Sequence, residues 1–115
     1  MIKVLIVDDH ASMREALATA LTGSGEFIVV GEVSNADYAL DFCKRLQPDM
    51  VLMDVCTEDG ASGLEAVEAI RKAYVDIKII VMTALDEITY IPRAKAAGAN
   101  GFVYKSKSLN YFLEV

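Results

Sequence analysis

The sequence predicts an α/β fold: an open, doubly wound sheet of five parallel strands in the order 2-1-3-4-5, with helices on both faces. Three observations carry that expectation. Short apolar runs alternate with stretches of helical periodicity five times along the chain. Two of those runs, Ile2 to Val7 and Met50 to Met53, offer almost no polar face, as strands covered on both sides do. Five such units fill all 115 residues, too few to close an eight-stranded barrel. Strand and helix alternating in this way imply right-handed crossovers.

The first strand, Ile2 to Val7, runs into Asp8-Asp9. Met13, Ala16, Leu17, Ala20 and Leu21 then fall at helical spacing; Ser12 with Glu15 reads as a capping box, and Gly23 as the stop. Phe27 to Val33 is the second strand. Ser34 or Asn35 caps a helix whose buried stripe is Ala36, Ala39, Leu40, Cys43 and Leu46, and Pro48 terminates it. Met50 to Asp54 is the third strand, again ending in acid. A polar loop, Val55 to Ser62, leads to a helix with Leu64, Val67, Ile70 and Ala73 on one face. Ile77 to Met82 is the fourth strand, ending at Thr83-Ala84. A helix is expected over 86–97, with its regular part starting near Pro92, which lacks a backbone donor. Gly98 closes it, Gly101 to Tyr104 is the fifth strand, and Lys105 stands at its end. Ser108 to Val115 begins a last helix that the chain is expected to cut short.

One domain accounts for the whole length. A hydrophobic fraction of 54% with 7 Gly and 2 Pro suits a compact globule. No apolar run approaches a membrane span, and the first residues lack the features of a secretory signal, so a cytoplasmic protein with no membrane contact is expected. A net charge of −6 opposes binding to DNA by this domain alone. Cys43 and Cys56 lack the spacing of a metal-ligand pair, and Cys43 reads as a small buried hydrophobe.

Chemistry is expected where the strands stop, because in open α/β sheets ligands bind outside the carboxyl ends of the strands. Strand one ends in Asp8 and Asp9, strand three in Asp54, strand four in Thr83 and strand five in Lys105. Strands one and three are neighbours in the order above, so three carboxylates converge. Like charges that close repel, and the cluster calls for a cation; oxygen ligands suit Mg²⁺. A carboxylate can also serve as a nucleophile, forming an aspartyl phosphate, with Lys105 and the Thr83 hydroxyl meeting the phosphoryl oxygens. His10, the one histidine, reads as structural or exposed and not as catalytic.

Val-Asp-Asp-His at 7–10 with Arg14 and Leu17, Pro-Asp-Met-Val-Leu-Met-Asp at 48–54, Met-Thr-Ala at 82–84 and Ala-Gly-Ala-Asn-Gly-Phe-Val-Tyr-Lys-Ser at 97–106 span essentially the whole chain. With these motifs in this order, the chain resembles a response regulator receiver domain of two-component signalling, nearest the NarL/FixJ (LuxR-type) branch. The resemblance implies a flavodoxin-like, CheY-like fold and a phosphorylatable switch, not an enzyme. It implies that Asp54 accepts a phosphoryl group from a sensor histidine kinase and that Asp8, Asp9 and Asp54 hold Mg²⁺ with the backbone carbonyl of Cys56. Thr83 and Lys105 would bind the phosphoryl group, and Thr83 and Phe102 would act as the switch pair. It further implies transcription regulation through a C-terminal helix-turn-helix domain, beyond residue 115, that would contact DNA, and homodimers are possible.

Two departures stand out. The loop after Asp54 is one residue longer than usual in that family and lacks its Met-Pro pair, while Glu58 and Asp59 add negative charge. Leu85, two beyond Thr83, is apolar where the family tunes access of the hydrolytic water, so slow loss of the phosphoryl group is expected. The rival readings are a phosphorylation-independent interaction module, which the irregular loop supports, and a Mg²⁺-dependent phosphohydrolase. The second is disfavoured because the chain has no cap domain.

Overall fold

The computed structural model describes residues 1–54, 63–83 and 90–104; the side chains of residues 83, 90, 91 and 104 are outside that description. Strands β1 (Ile2–Val7), β2 (Phe27–Val33), β3 (Met50–Asp54), β4 (Lys78–Thr83) and β5 (Gly101–Tyr104) form one sheet in the order β2-β1-β3-β4-β5. Every pairing is parallel. Between them lie α1 (Ala11–Ser24), α2 (Ala39–Leu46), α3 (Gly63–Ala73) and α4 (Tyr90–Ala97). The expected fold class and strand order are both present.

Side chains alternate across a strand, so each apolar run supplies two cores at once. Leu5, Val7, Val51, Met53, Ile79 and Val81 point to one face, where Ala39 and Cys43 of α2, Val67 and Ile70 of α3 and Ala94 of α4 cover them. Val4, Ile6, Leu52, Ile80, Met82 and Val103 point to the other, against Leu17 and Leu21 of α1. That two-sided burial is the reason β1, β3 and β4 carry no polar face. β2 lies at the edge and is more polar and more exposed, with Ile28 at 47%.

Helix ends differ from expectation. The capping box of Ser12 and Glu15 does not form: α1 starts two residues earlier, with His10 at the N-cap and no side-chain cap bond, which puts Ser12 inside the first turn. Nor does Gly23 stop the helix. The chain leaves at Gly25, whose φ of 80° is left-handed and carries no penalty for glycine. The expected helix after Asn35 splits into a 3-10 turn, Ala36–Tyr38, capped by the Asn35 side chain accepting from Asp37 N at 2.8 Å, and then α2. α2 ends at Leu46, with Gln47 left-handed (φ 48°) before Pro48. Ala73 is exposed; Ala66 takes its place on the buried face of α3. β4 begins at Lys78, not Ile77, although Ile77 is buried. In α4, Pro92 stands in the first turn, where its missing N–H would have lacked a helical partner anyway. The start of this helix expected at residue 86 lies outside the described residues, as does the last helix over 108–115.

At the end of the sheet remote from the acids, Arg71 ties three segments together. Its Nε donates to Gly98 O (3.0 Å), Nη1 to Tyr74 O and Val75 O (3.2 and 2.8 Å), and Nη2 to Asn100 Oδ1 (2.6 Å). Asn100 Oδ1 also accepts from Ile79 N at 2.8 Å. Gly98 is left-handed (φ 114°), and a Cβ there would stand 2.7 Å from Arg71 Cγ, so arginine and glycine require each other. Arg71→Ala should therefore cost about 2 kcal/mol, because charge-assisted bonds to carbonyls are lost together. A lowered urea midpoint at unchanged slope would show it; an unchanged midpoint would mean the clamp is only a surface contact.

Candidate functional site

The site follows from strand register. Val7 pairs with Met53 across β1 and β3, so the next residues along, Asp8 and Asp54, are neighbours on adjacent strands about 4.8 Å apart. Asp8 keeps a strand-like bond, its N–H donating to Val33 O at 2.9 Å. Asp54 is itself in register with Met82 of β4. Both residues are buried, Asp8 at 0% and Asp54 at 1% exposed, although each stands where its strand stops. For Asp8 the reason is local: the chain turns back over it as it enters α1.

That turn is built by His10. Its backbone N–H donates to Asp8 Oδ1 at 2.8 Å, and its ring Nδ1 lies 3.2 Å from Asp8 Oδ1 and 3.0 Å from Asp9 Oδ1. Arg14, one turn further, donates from Nη1 to Asp8 O at 2.6 Å and sets Nε 3.7 Å from Glu32 Oε1. Asp9 has an 8% exposed side chain, and its buried Oδ1 accepts no hydrogen bond.

One ligand atom from each of Asp8, Asp9, His10 and Asp54 falls within 4.8 Å of all the others. This cluster can hold a metal ion. Buried carboxylates are costly without a compensating charge, a buried oxygen of Asp9 is left without a hydrogen bond, and carboxylate oxygens are the donors Mg²⁺ prefers. The residues present fit such an ion.

Of the expected site residues, the structure brings Asp8, Asp9 and Asp54 together. The backbone of Thr83 closes β4 opposite Tyr104 of β5. The Thr83 side chain, Cys56, Lys105, Leu85 and the acidic loop with Glu58 and Asp59 lie outside the described residues. Phe102 is half-buried, packs against the larger core and pairs in register with Val81. Sequence reasoning set His10 aside; the signal available was its place directly after two acids at a helix entry. Cys43 is the small buried group expected: fully enclosed, its thiol is pushed by burial up to about 11, which leaves it unreactive at neutral pH. Among the described residues, no helix is long and apolar enough to cross a membrane.

Comparison with known proteins agrees with this geometry. The family model described as "Response regulator receiver domain" matches residues 4–114. The chain is 36% identical over 114 residues to the response regulator GacA of Pseudomonas aeruginosa, covering 99% of this chain and 53% of that protein. It is 33% identical over 113 residues to the response regulator protein VraR of Staphylococcus saprophyticus, covering 98% and 54%. A solved two-component response regulator of the LuxR family from Aurantimonas superposes with a TM-score of 0.91 at 28% identity, covering 99% of this chain and 81% of that one. The chain thus spans about half the length of the curated relatives it matches.

Proposed function

The chain belongs to the response regulator receiver family of two-component systems, in its NarL/FixJ branch, and from that premise we propose that it is a switch thrown by phosphorylation of Asp54. The observation that carries the reading is the convergence of Asp8, Asp9 and Asp54 in one buried cluster at the carboxyl ends of β1 and β3. In the proposed step a carboxylate oxygen of Asp54 attacks phosphorus; the bond from phosphorus to the donor histidine nitrogen breaks, and that nitrogen keeps the electron pair. Asp8 and Asp9, with Asp54 and the Cys56 carbonyl, would hold Mg²⁺, which when bound offsets the charge of the carboxylates and of the phosphoryl oxygens. Lys105 and Thr83 would contact those oxygens directly.

The adduct adds charge and acceptor oxygens where the free carboxylate had been, and Thr83 moves toward them. Phe102, at the boundary between core and surface in β5, would then repack and alter the face around α4 and β5. A sensor histidine kinase as donor, a C-terminal helix-turn-helix output in transcription regulation, a possible homodimer and a cytoplasmic setting complete the proposal. Support for the output lies in relatives about twice the length of this chain.

The test is mass spectrometry after incubation with acetyl phosphate or phosphoramidate. With Mg²⁺ the protein should gain one phosphoryl group, and with a chelator it should gain none. An unmodified mass at saturating donor and Mg²⁺ would favour an interaction module that works without phosphorylation.

A further inference from the structure

We propose that His10 is a further ligand of this metal site, its Nδ1 taking one corner of the coordination sphere and biasing the site toward nitrogen-seeking ions such as Co²⁺, Ni²⁺ and Zn²⁺. The inference rests on the metal-dependent reading above and adds a residue and a selectivity to it.

Geometry comes first. Adjacent corners of an octahedron with bonds of about 2.1 Å are about 3.0 Å apart. His10 Nδ1 lies 3.0 Å from Asp9 Oδ1 and 3.2 Å from Asp8 Oδ1, so it stands from each carboxylate oxygen at the spacing of adjacent corners. The ring is held there by the backbone: His10 N donates to Asp8 Oδ1, and the N-cap conformation (φ −94°, ψ 110°) turns the side chain away from α1 and back over the acids. His10 makes no side-chain cap bond, so the ring is not occupied in closing the helix.

Two further observations point to an ion rather than to a simple surface contact. The Asp9 carboxylate is more than nine-tenths buried, yet its Oδ1 accepts no hydrogen bond, even with Nδ1 3.0 Å away. The His10 side chain is 65% exposed, so with Nδ1 on the metal Nε2 can keep its proton and meet water. Imidazole nitrogen favours the later first-row ions far more than it favours Mg²⁺, whose preferred partners are oxygens. A carboxylate cluster lacking His10 would show less of that preference.

The experiment uses untagged protein, in which His10 is the sole histidine. Calorimetric titrations with Mg²⁺ and with Co²⁺ are compared for the parent and His10→Ala, and proton NMR follows the His10 ring as Co²⁺ is added to the parent. The expected result is that the preference for Co²⁺ over Mg²⁺ falls by about tenfold or more in His10→Ala, the range for losing a group that supports a metal. In the parent, the ring protons should carry through-bond contact shifts far larger than the through-space shifts that an ion held by the carboxylates alone would produce. His10→Ala keeps the backbone amide that makes the turn and removes an exposed ring, so it should fold; the NMR arm decides the matter even if it does not. An unchanged preference together with a ring that lacks those contact shifts would overturn the role of His10, leaving the phosphorylation reading intact if Mg²⁺ still binds. If neither ion binds the parent, both readings are overturned.

Discussion

Replacing Asp54 by asparagine should have two effects of opposite sign: phosphoryl uptake from acetyl phosphate disappears, and the metal-free protein melts at a higher temperature. Asparagine keeps the size and the strand but offers a neutral amide in place of the attacking carboxylate, so no acyl phosphate can form. The stability gain has a different origin. Asp54 and Asp8 are buried beside Asp9. A pair of like charges 4 Å apart at an effective dielectric constant of 20 repels by about 4 kcal/mol, which the hydrogen-bond and charge partners of these carboxylates reduce. A residue of about 1 kcal/mol would raise the midpoint by roughly 4–8 °C. Adding Mg²⁺ should then narrow the gap, because the parent gains stability from an ion that binds only the folded chain. Melting curves in chelator and in Mg²⁺, with mass spectra alongside, measure both effects. An Asp54→Asn protein that still takes up the phosphoryl group would place the acceptor elsewhere; one that melts lower in chelator would show that its surroundings stabilise the Asp54 carboxylate more than its neighbours repel it.

Leu52→Ala should be among the most damaging single changes to stability. Leu52 is fully buried in β3, in register with Ile6 on one side and Ile80 on the other, and it packs with Leu17 and Leu21 of α1. Truncating a leucine in such a place removes its transfer free energy and leaves a cavity, together about 2–5 kcal/mol. Against a total of about 5–15 kcal/mol for a domain, that is a large share. The comparison that gives the number meaning is Ile28→Ala on edge strand β2. Ile28 is 47% exposed, and its loss should cost about 0.5 kcal/mol or less. Equal urea midpoints for the two variants would contradict the two-faced core described above.

How the strands could be read in advance, and the helix ends could not, comes down to where the deciding interactions are. The runs at 2–7, 27–33, 50–54 and 101–104 became strands with those same bounds, since each is a largely apolar stretch bordered by acid, glycine or lysine, and for 2–7 and 50–54 burial on two faces demands that composition. Gly23 and Gly25 look alike in sequence. Only the φ of 80° at Gly25 shows which of them ends α1. Ser12 and Glu15 have the spacing of a capping box, but the chain entering α1 is already fastened by His10 N and Arg14 to Asp8, which sets the first turn two residues sooner. Arg71, an unremarked helix residue, became a clamp because the segments it joins lie 27 and 29 residues away.

By itself, the order of short apolar runs and the acids at their ends determined the sheet, its layers and the meeting of Asp8, Asp9 and Asp54, because parallel strands deliver their carboxyl ends to one rim whatever the loops do. Tertiary structure alone decided that those acids are buried and that His10 folds over them. Burial and the direction of a ring depend on a turn held by hydrogen bonds between side chain and backbone, and such bonds leave no periodicity in a sequence.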